Sequence, residues 1–288
     1  MEREEWLQLV AWTNRWTPVT CGRRFTFAWS EIVTTLLWAV LHNQPVSWAC
    51  RADHWPSDLR SARLPSPATL SRRLRRPELR PFIDRLLRHL NRGRRRGLVS
   101  LVDGKRLLVS AHSRDGDATF GGRGGRQRGY ELHVILGKNS RFEAWGIHPL
   151  HLNERPIARQ LVAQTRLVGY LLADAEYDDQ QLYTLCAQRG VQLVAPRQKG
   201  PAHALGHVAQ TAARLRAVAL LEASATGFGP KLYTSRRGIE RLFGQLVSVP
   251  YIQLALPPWV RGLERVRLWV TAKLLLFSFV RRCRKQTG

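Results

Sequence analysis

The stretch Leu98-Val99-Ser100-Leu101-Val102-Asp103-Gly104, continuing as Lys105-Arg106-Leu107-Leu108-Val109-Ser110, decides the fold. Before it, apolar residues recur at helical spacing. From it onward, short apolar runs of strand length alternate with helical patterns. The stretch predicts a strand ending at Asp103, a break at Gly104 and a second strand over 105–110, because Asp-Gly between apolar runs signals a hairpin turn. A loop dense in Gly and Arg follows (112–129), then strands at 130–136 and 142–147. Asn153 is the expected cap of a helix to about 165. The apolar run 167–173 ends at Asp174. Asp178 is the expected cap of a helix to about 189, and 191–195 reads as a buried strand. Helices are predicted over 207–222, 235–246 and, as a long amphipathic one, 259–282.

Three antiparallel strands, then helix–strand–helix–strand–helix, predict an α/β fold of RNase H-like type, a mixed sheet flanked by helices. The residues before it form an N-terminal all-α basic domain. Ser30 is the expected cap of a helix carrying Val33, Leu36, Leu37, Val40 and Leu41, and Ser66-Pro67 starts another. A third begins at Pro81. Residues 51–97 carry fourteen Arg against four acids, and 91–97 read as a basic linker. The expected division is 1–97 as a helical DNA-binding domain, 98–250 as the catalytic core and 251–288 as a C-terminal amphipathic helix.

The chain of 288 residues has 46 Lys or Arg against 21 Asp or Glu, a formal net charge of +25. Forty of the 46 are Arg, whose guanidinium grips phosphate oxygens in a bidentate fork. A polyanionic partner accounts for that surplus, with nucleic acid ahead of an anionic membrane. No apolar run approaches the ~20 residues of a membrane span. The segment Met1-Glu2-Arg3-Glu4-Glu5 has no apolar signal region, so a cytoplasmic protein is expected. Cys21, Cys50, Cys186 and Cys283 lie far apart without zinc spacing, which predicts free thiols.

With acids scarce, three carboxylates stand out. Asp103 and Asp174 end apolar strands, and Glu240 borders a helical stripe of Ile239, Leu242, Phe243 and Leu246. Each has a plainer reading: hairpin turn, helix cap, and an i,i+4 salt-bridge partner among Arg236, Arg237 and Arg241. Gathered at one point, however, three carboxylates repel and call for a hard cation with oxygen ligands. Two Mg²⁺ ions are expected, with Mn²⁺ as a substitute, and phosphodiester chemistry follows.

These segments resemble the DDE transposases of bacterial insertion sequences, in the subgroup with a Tyr-x₂-Arg-x₃-Glu-x₆-Lys signature. The resemblance covers about 98–280. It rests on Val102-Asp103-Gly104, on Asp117-Ala118 through Gly129-Tyr130-x-Leu132-His133, on Ala173-Asp174-x-x-Tyr177-Asp178, and most specifically on Tyr233-x₂-Arg236-x₃-Glu240-Arg241-x-Phe243-Gly244. The closing Arg261-Gly262-x-x-Arg265-Val266-x-x-Trp269 segment is also similar to the family's C-terminal part.

The resemblance implies Asp103, Asp174 and Glu240 as catalytic and metal-holding residues, with Tyr233 and Arg236 near DNA phosphates. It implies homodimeric synapsis on double-stranded DNA, with terminal inverted repeats and target DNA as partners, and a nucleoid-associated protein without a membrane role. Arg237, Arg241, Arg72, Arg73, Arg123 and Arg126 complete the expected DNA-binding set. Two positions depart from the pattern: Val247 stands where the signature has lysine, and Glu131 where the group commonly has lysine. Both remove positive charge near the expected DNA. In some relatives a tryptophan between the second Asp and the Glu supports hairpin formation. No Trp occurs from 175 to 239, so that route is not expected here. The alternative is a catalytically decayed or repurposed copy that only binds DNA. A nuclease that never joins strands and an RNA binder using the Arg-Gly loop are the other readings.

Overall fold

The computed structural model describes residues 1–17, 26–92, 97–122, 126–200, 205, 209–222, 224–248 and 253–284. Arg123, Cys21 and most of the basic linker lie outside them. The chain packs as two compact units, 93–245 and a second formed by 1–92 with 246–288.

The unit 93–245 is built on six strands: β1 (Val99–Leu108), β2 (Thr119–Gly121), β3 (Gln127–Gly137), β4 (Arg141–Pro149), β5 (Gly169–Leu172) and β6 (Val191–Val194). β3 runs antiparallel to β1, β2 and β4, whereas β1, β5 and β6 are mutually parallel, in the order β2-β3-β1-β5-β6 with β4 also on β3. Helices α5 (Glu154–Gln164), α6 (Gln180–Gln188), α7 (Ala212–Glu222), α8 (Phe228–Tyr233) and α9 (Arg237–Ser248) complete the strand-helix alternation. This is the expected RNase H-like mixed sheet with flanking helices. One core cluster joins Val102 and Ile135 of the sheet to Ile157, Ala158, Leu161, Leu182, Cys186 and Ala217 of α5, α6 and α7. Burying such side chains stabilises the unit by roughly 1.5–3 kcal/mol each.

The Asp-Gly hairpin is absent. β1 runs unbroken through Asp103 and Gly104, with Gly104 opposite His133 of β3. The glycine serves space rather than a turn: a Cβ there would lie 2.8 Å from Glu131 Oε1 and 3.2 Å from His133 Cε1. Asp103 is therefore a mid-strand side chain, not a turn residue. One cap in this unit also differs from expectation. Asp179 caps α6 by accepting from the Leu182 N–H, because Asp178 is engaged with Arg214. Asn153 caps α5 as expected, accepting from the Arg155 N–H.

The other unit contains α1 (Arg3–Arg15), α2 (Trp29–Leu41), α3 (Pro67–Leu74), α4 (Leu79–Asn91) and α10 (Leu263–Arg284). Ser66 caps α3 through the Thr69 N–H. Ser30 lies inside α2 and is buried; the Glu31 carboxylate reaches back to the Ala28 N–H in its place. The final helix is not amphipathic. Residues 269–277 are buried consecutively, which more than two turns of a helix permit only when it is covered all round. The amine of Lys273 within that run donates to the Gln253 carbonyl and to Asn43 Oδ1. No described helix is long and apolar enough to cross a membrane.

Candidate active site

Parallel pairing brings the two aspartates together. Leu101 of β1 is in register with Leu172 of β5, and each aspartate lies two residues beyond its partner in that pair. Asp174 follows the carboxyl end of β5, and Asp103 projects from the middle of β1, the parallel strand paired with it. A backbone amide pins each one. Asp103 Oδ1 accepts from the Gly104 N–H at 2.9 Å, and Asp174 Oδ1 from the Glu176 N–H at 2.9 Å. Both Oδ2 atoms turn to one guanidinium. Arg236 Nη2 lies 3.1 Å from Asp103 Oδ2 and 3.6 Å from Asp174 Oδ2.

Arg236 ends a 3-10 turn between α8 and α9, and its Nη1 donates to Glu240 Oε1 at 2.9 Å. The plain i,i+4 pair is thus present, and the same guanidinium links Glu240 to both aspartates. Glu240 is the most open of the three, its side chain 58% exposed. Its helix buries Ile239, Leu242, Phe243 and Leu246 as the stripe predicts. The Tyr233 hydroxyl donates to the Ala173 carbonyl at 3.0 Å, fastening the end of α8 beside Asp174.

Burial raises Asp103 to about 6, beyond what the Arg236 charge pulls back, and Asp174 adds to the rise. Burial raises Asp174 as well, again against Arg236. Tyr233 is pushed up to about 12, by burial first. Three carboxylates against one guanidinium leave an excess of negative charge that a divalent cation would neutralise. The donor set, all carboxylate oxygen, suits a hard cation. Among the described residues, though, no group of three His, Cys, Asp or Glu converges closely enough to hold a metal by itself. The three carboxylates meet through Arg236 and not directly.

Of the expected DNA contacts, Arg237, Arg241, Arg126 and Arg72 are exposed. Arg73 is not. It is 5% exposed, with its guanidinium 4.1 Å from the Trp29 ring centroid, so it is a packing residue of its unit. Glu131 does not face solvent either. It is buried on β3 with Oε2 3.5 Å from His133 Nε2, so its charge is spent inside the protein. Val247 is 48% exposed, as an open signature position would be.

Sequence reasoning missed a fourth acid. Glu154, which no sequence pattern singled out, is raised to about 7 by burial and then by the charge of Glu131. Tyr177, buried beside it, is raised by burial and then by the charge of Glu154. The Ser/Asn-cap pattern hid it, since helix starts commonly carry Glu. A carboxyl raised on folding stabilises the protein below its unfolded value and loses that contribution as pH climbs through about 7. Glu154→Gln is therefore expected to raise stability near pH 8 by about 1–2 kcal/mol, discounted for solvent screening, and to change nothing near pH 4. Urea melts at both pH values check this.

The pattern of the family described as the transposase DDE domain matches residues 94–256, more than half of the chain and all three carboxylates. Curated proteins give no match. Among solved structures, the chain is similar to piggyBac transposase in a cryo-EM synaptic complex with hairpin DNA. Identity is 11% over 97% of this chain and 74% of that one, with a TM-score of 0.44. A likeness of that size carries no argument about this site.

Proposed function

Because the chain belongs to the transposase DDE-domain family, we propose that it cleaves DNA at the ends of an insertion sequence and joins the freed strands to target DNA. The observation that supports this most is the single guanidinium shared by Asp103, Asp174 and Glu240. Three parts of the chain remote in sequence thereby meet one side chain beside the end of β5.

The reaction is phosphodiester hydrolysis followed by transesterification. Water attacks phosphorus and a 3′-OH leaves; that hydroxyl then attacks a target phosphodiester in line, forming a new P–O bond as the target's own P–O3′ bond breaks and its 3′-oxygen leaves, taking up a proton. Two bound Mg²⁺ ions would supply Lewis acidity at the phosphate and assist deprotonation of the attacking water. Asp103 and Asp174, each oriented by a backbone N–H, would hold both ions, and Glu240 would hold one of them. Arg237, Arg241, Arg126 and Arg72 would lie along phosphates, where each contact adds affinity and salt dependence. Homodimeric synapsis on the terminal repeats belongs to the same proposal.

A second reading, a decayed or repurposed DNA-binding copy, has the exposed Val247 in its favour. Mg²⁺-dependent nicking of duplexes carrying the repeats that flank the gene separates the two. Strand breaks with free 3′-OH ends are expected; binding without nicking in either Mg²⁺ or Mn²⁺ would leave only the second reading.

A further inference from the structure

The oxygens that a cation would take are already engaged. Arg236 reaches Asp103 Oδ2 at 3.1 Å, Asp174 Oδ2 at 3.6 Å and Glu240 Oε1 at 2.9 Å. A guanidinium and a divalent cation cannot both sit among these atoms without repelling each other. The side chain is not a sealed structural strut, however. It ends a short 3-10 turn, is 17% exposed, and its Nε is buried without a hydrogen-bond partner. A planar fork with an unused donor suits a phosphodiester, whose two free oxygens accept bidentate bonds. The long stem lets the fork turn to such an anion without moving the helix behind it.

We infer that Arg236 couples DNA binding to metal binding, releasing the carboxylate oxygens to a divalent cation when a strand phosphate takes its guanidinium. The inference rests on the proposed function, since it needs the carboxylates to be the cation's ligands. Its consequence is reciprocal: the factor by which DNA tightens the cation is the factor by which the cation tightens DNA. Off DNA the site holds metal weakly, which keeps a strand-cutting centre idle until its substrate is in place. Arg236 is in this role a positioning residue, acting through the carboxylates.

The test counts free Mn²⁺ by electron paramagnetic resonance, with the full chain near pH 8, above the raised Asp103 value of about 6. Measurements are made with and without a pre-cleaved end duplex, which offers phosphates but no scissile bond. Wild-type protein is expected to bind Mn²⁺ roughly tenfold tighter with the duplex than without. Arg236→Gln is expected to tighten Mn²⁺ roughly tenfold off DNA and to lose most of the further gain on DNA. Arg236→Lys, charged but lacking the fork, should fall between, and it keeps the test usable if the Gln variant folds poorly. Mn²⁺ binding by both variants no tighter than wild type off DNA would overturn the coupling. Mn²⁺ binding unaffected by Asp103→Asn would instead remove the carboxylates as ligands and take the proposed function with it.

Discussion

Asp103→Asn and Asp174→Asn are each expected to abolish cleavage of end-containing DNA, by at least roughly 1,000-fold, while duplex affinity changes little. An amide keeps the shape of the side chain and can still accept the Gly104 or Glu176 N–H that orients it. It removes the charge that a cation needs. Asp103→Asn should also stabilise the fold above about pH 6. Asp103 is raised by burial despite Arg236, so its ionised form opposes folding there and its amide does not. Loss of activity together with a gain in melting temperature is a combination that general misfolding cannot produce. Single-turnover cleavage, filter binding and thermal melts on one preparation check it. Cleavage surviving in either variant would show that the carboxylate serves something else.

Arg214→Met is expected to cause the largest loss of stability, about 3–5 kcal/mol. Arg214 meets Asp178 in a bidentate pair, Nε to Oδ1 and Nη2 to Oδ2, both 2.7 Å, with side chains 4% and 1% exposed. Removing the guanidinium strands a buried carboxylate, which costs far more than the pair itself contributes. Asp178 also accepts from the Gln198 N–H. It follows the short 3-10 turn that Asp174 caps, so loosening it should also blur the position of the Asp174 carboxylate. The expected signature is a fall in the urea midpoint with an unchanged slope, and cleavage that weakens before the fold is lost. The double change Asp178→Leu with Arg214→Met should recover much of the stability, because two apolar residues leave no charge unpaired. No recovery would mean that the pair is not where the cost arises.

Strand runs such as those in β1, β3 and β6 were legible because apolar residues at strand length leave few alternatives. Asp103 and Asp174 were legible as rare acids placed where apolar runs stop, although β1 itself continues past Asp103. What failed was local chemistry that depends on neighbours remote in sequence. Asp103-Gly104 has the composition of a turn, yet the glycine answers to the bulk of Glu131 and His133 across the ladder. Arg73 has the charge of a DNA contact, yet Trp29 takes its face. Glu131 looked like misplaced surface charge and is a buried group beside His133. Glu154 carries no signal in the sequence and is an acid raised by burial and by the charge of Glu131. Ser30 would cap a helix, but Glu31 fills that role from one residue on, so the helix starts earlier. In each case the residue type was compatible with two environments, and only tertiary packing chose.

The most direct test of the site is to locate a divalent cation in it. Crystals of the protein with a pre-cleaved end duplex, soaked in Mn²⁺, should show anomalous density bounded by the carboxylates of Asp103, Asp174 and Glu240, with the Arg236 guanidinium turned to a phosphate. Anomalous density elsewhere, or a guanidinium still bridging the three carboxylates with DNA and Mn²⁺ both bound, would contradict the account.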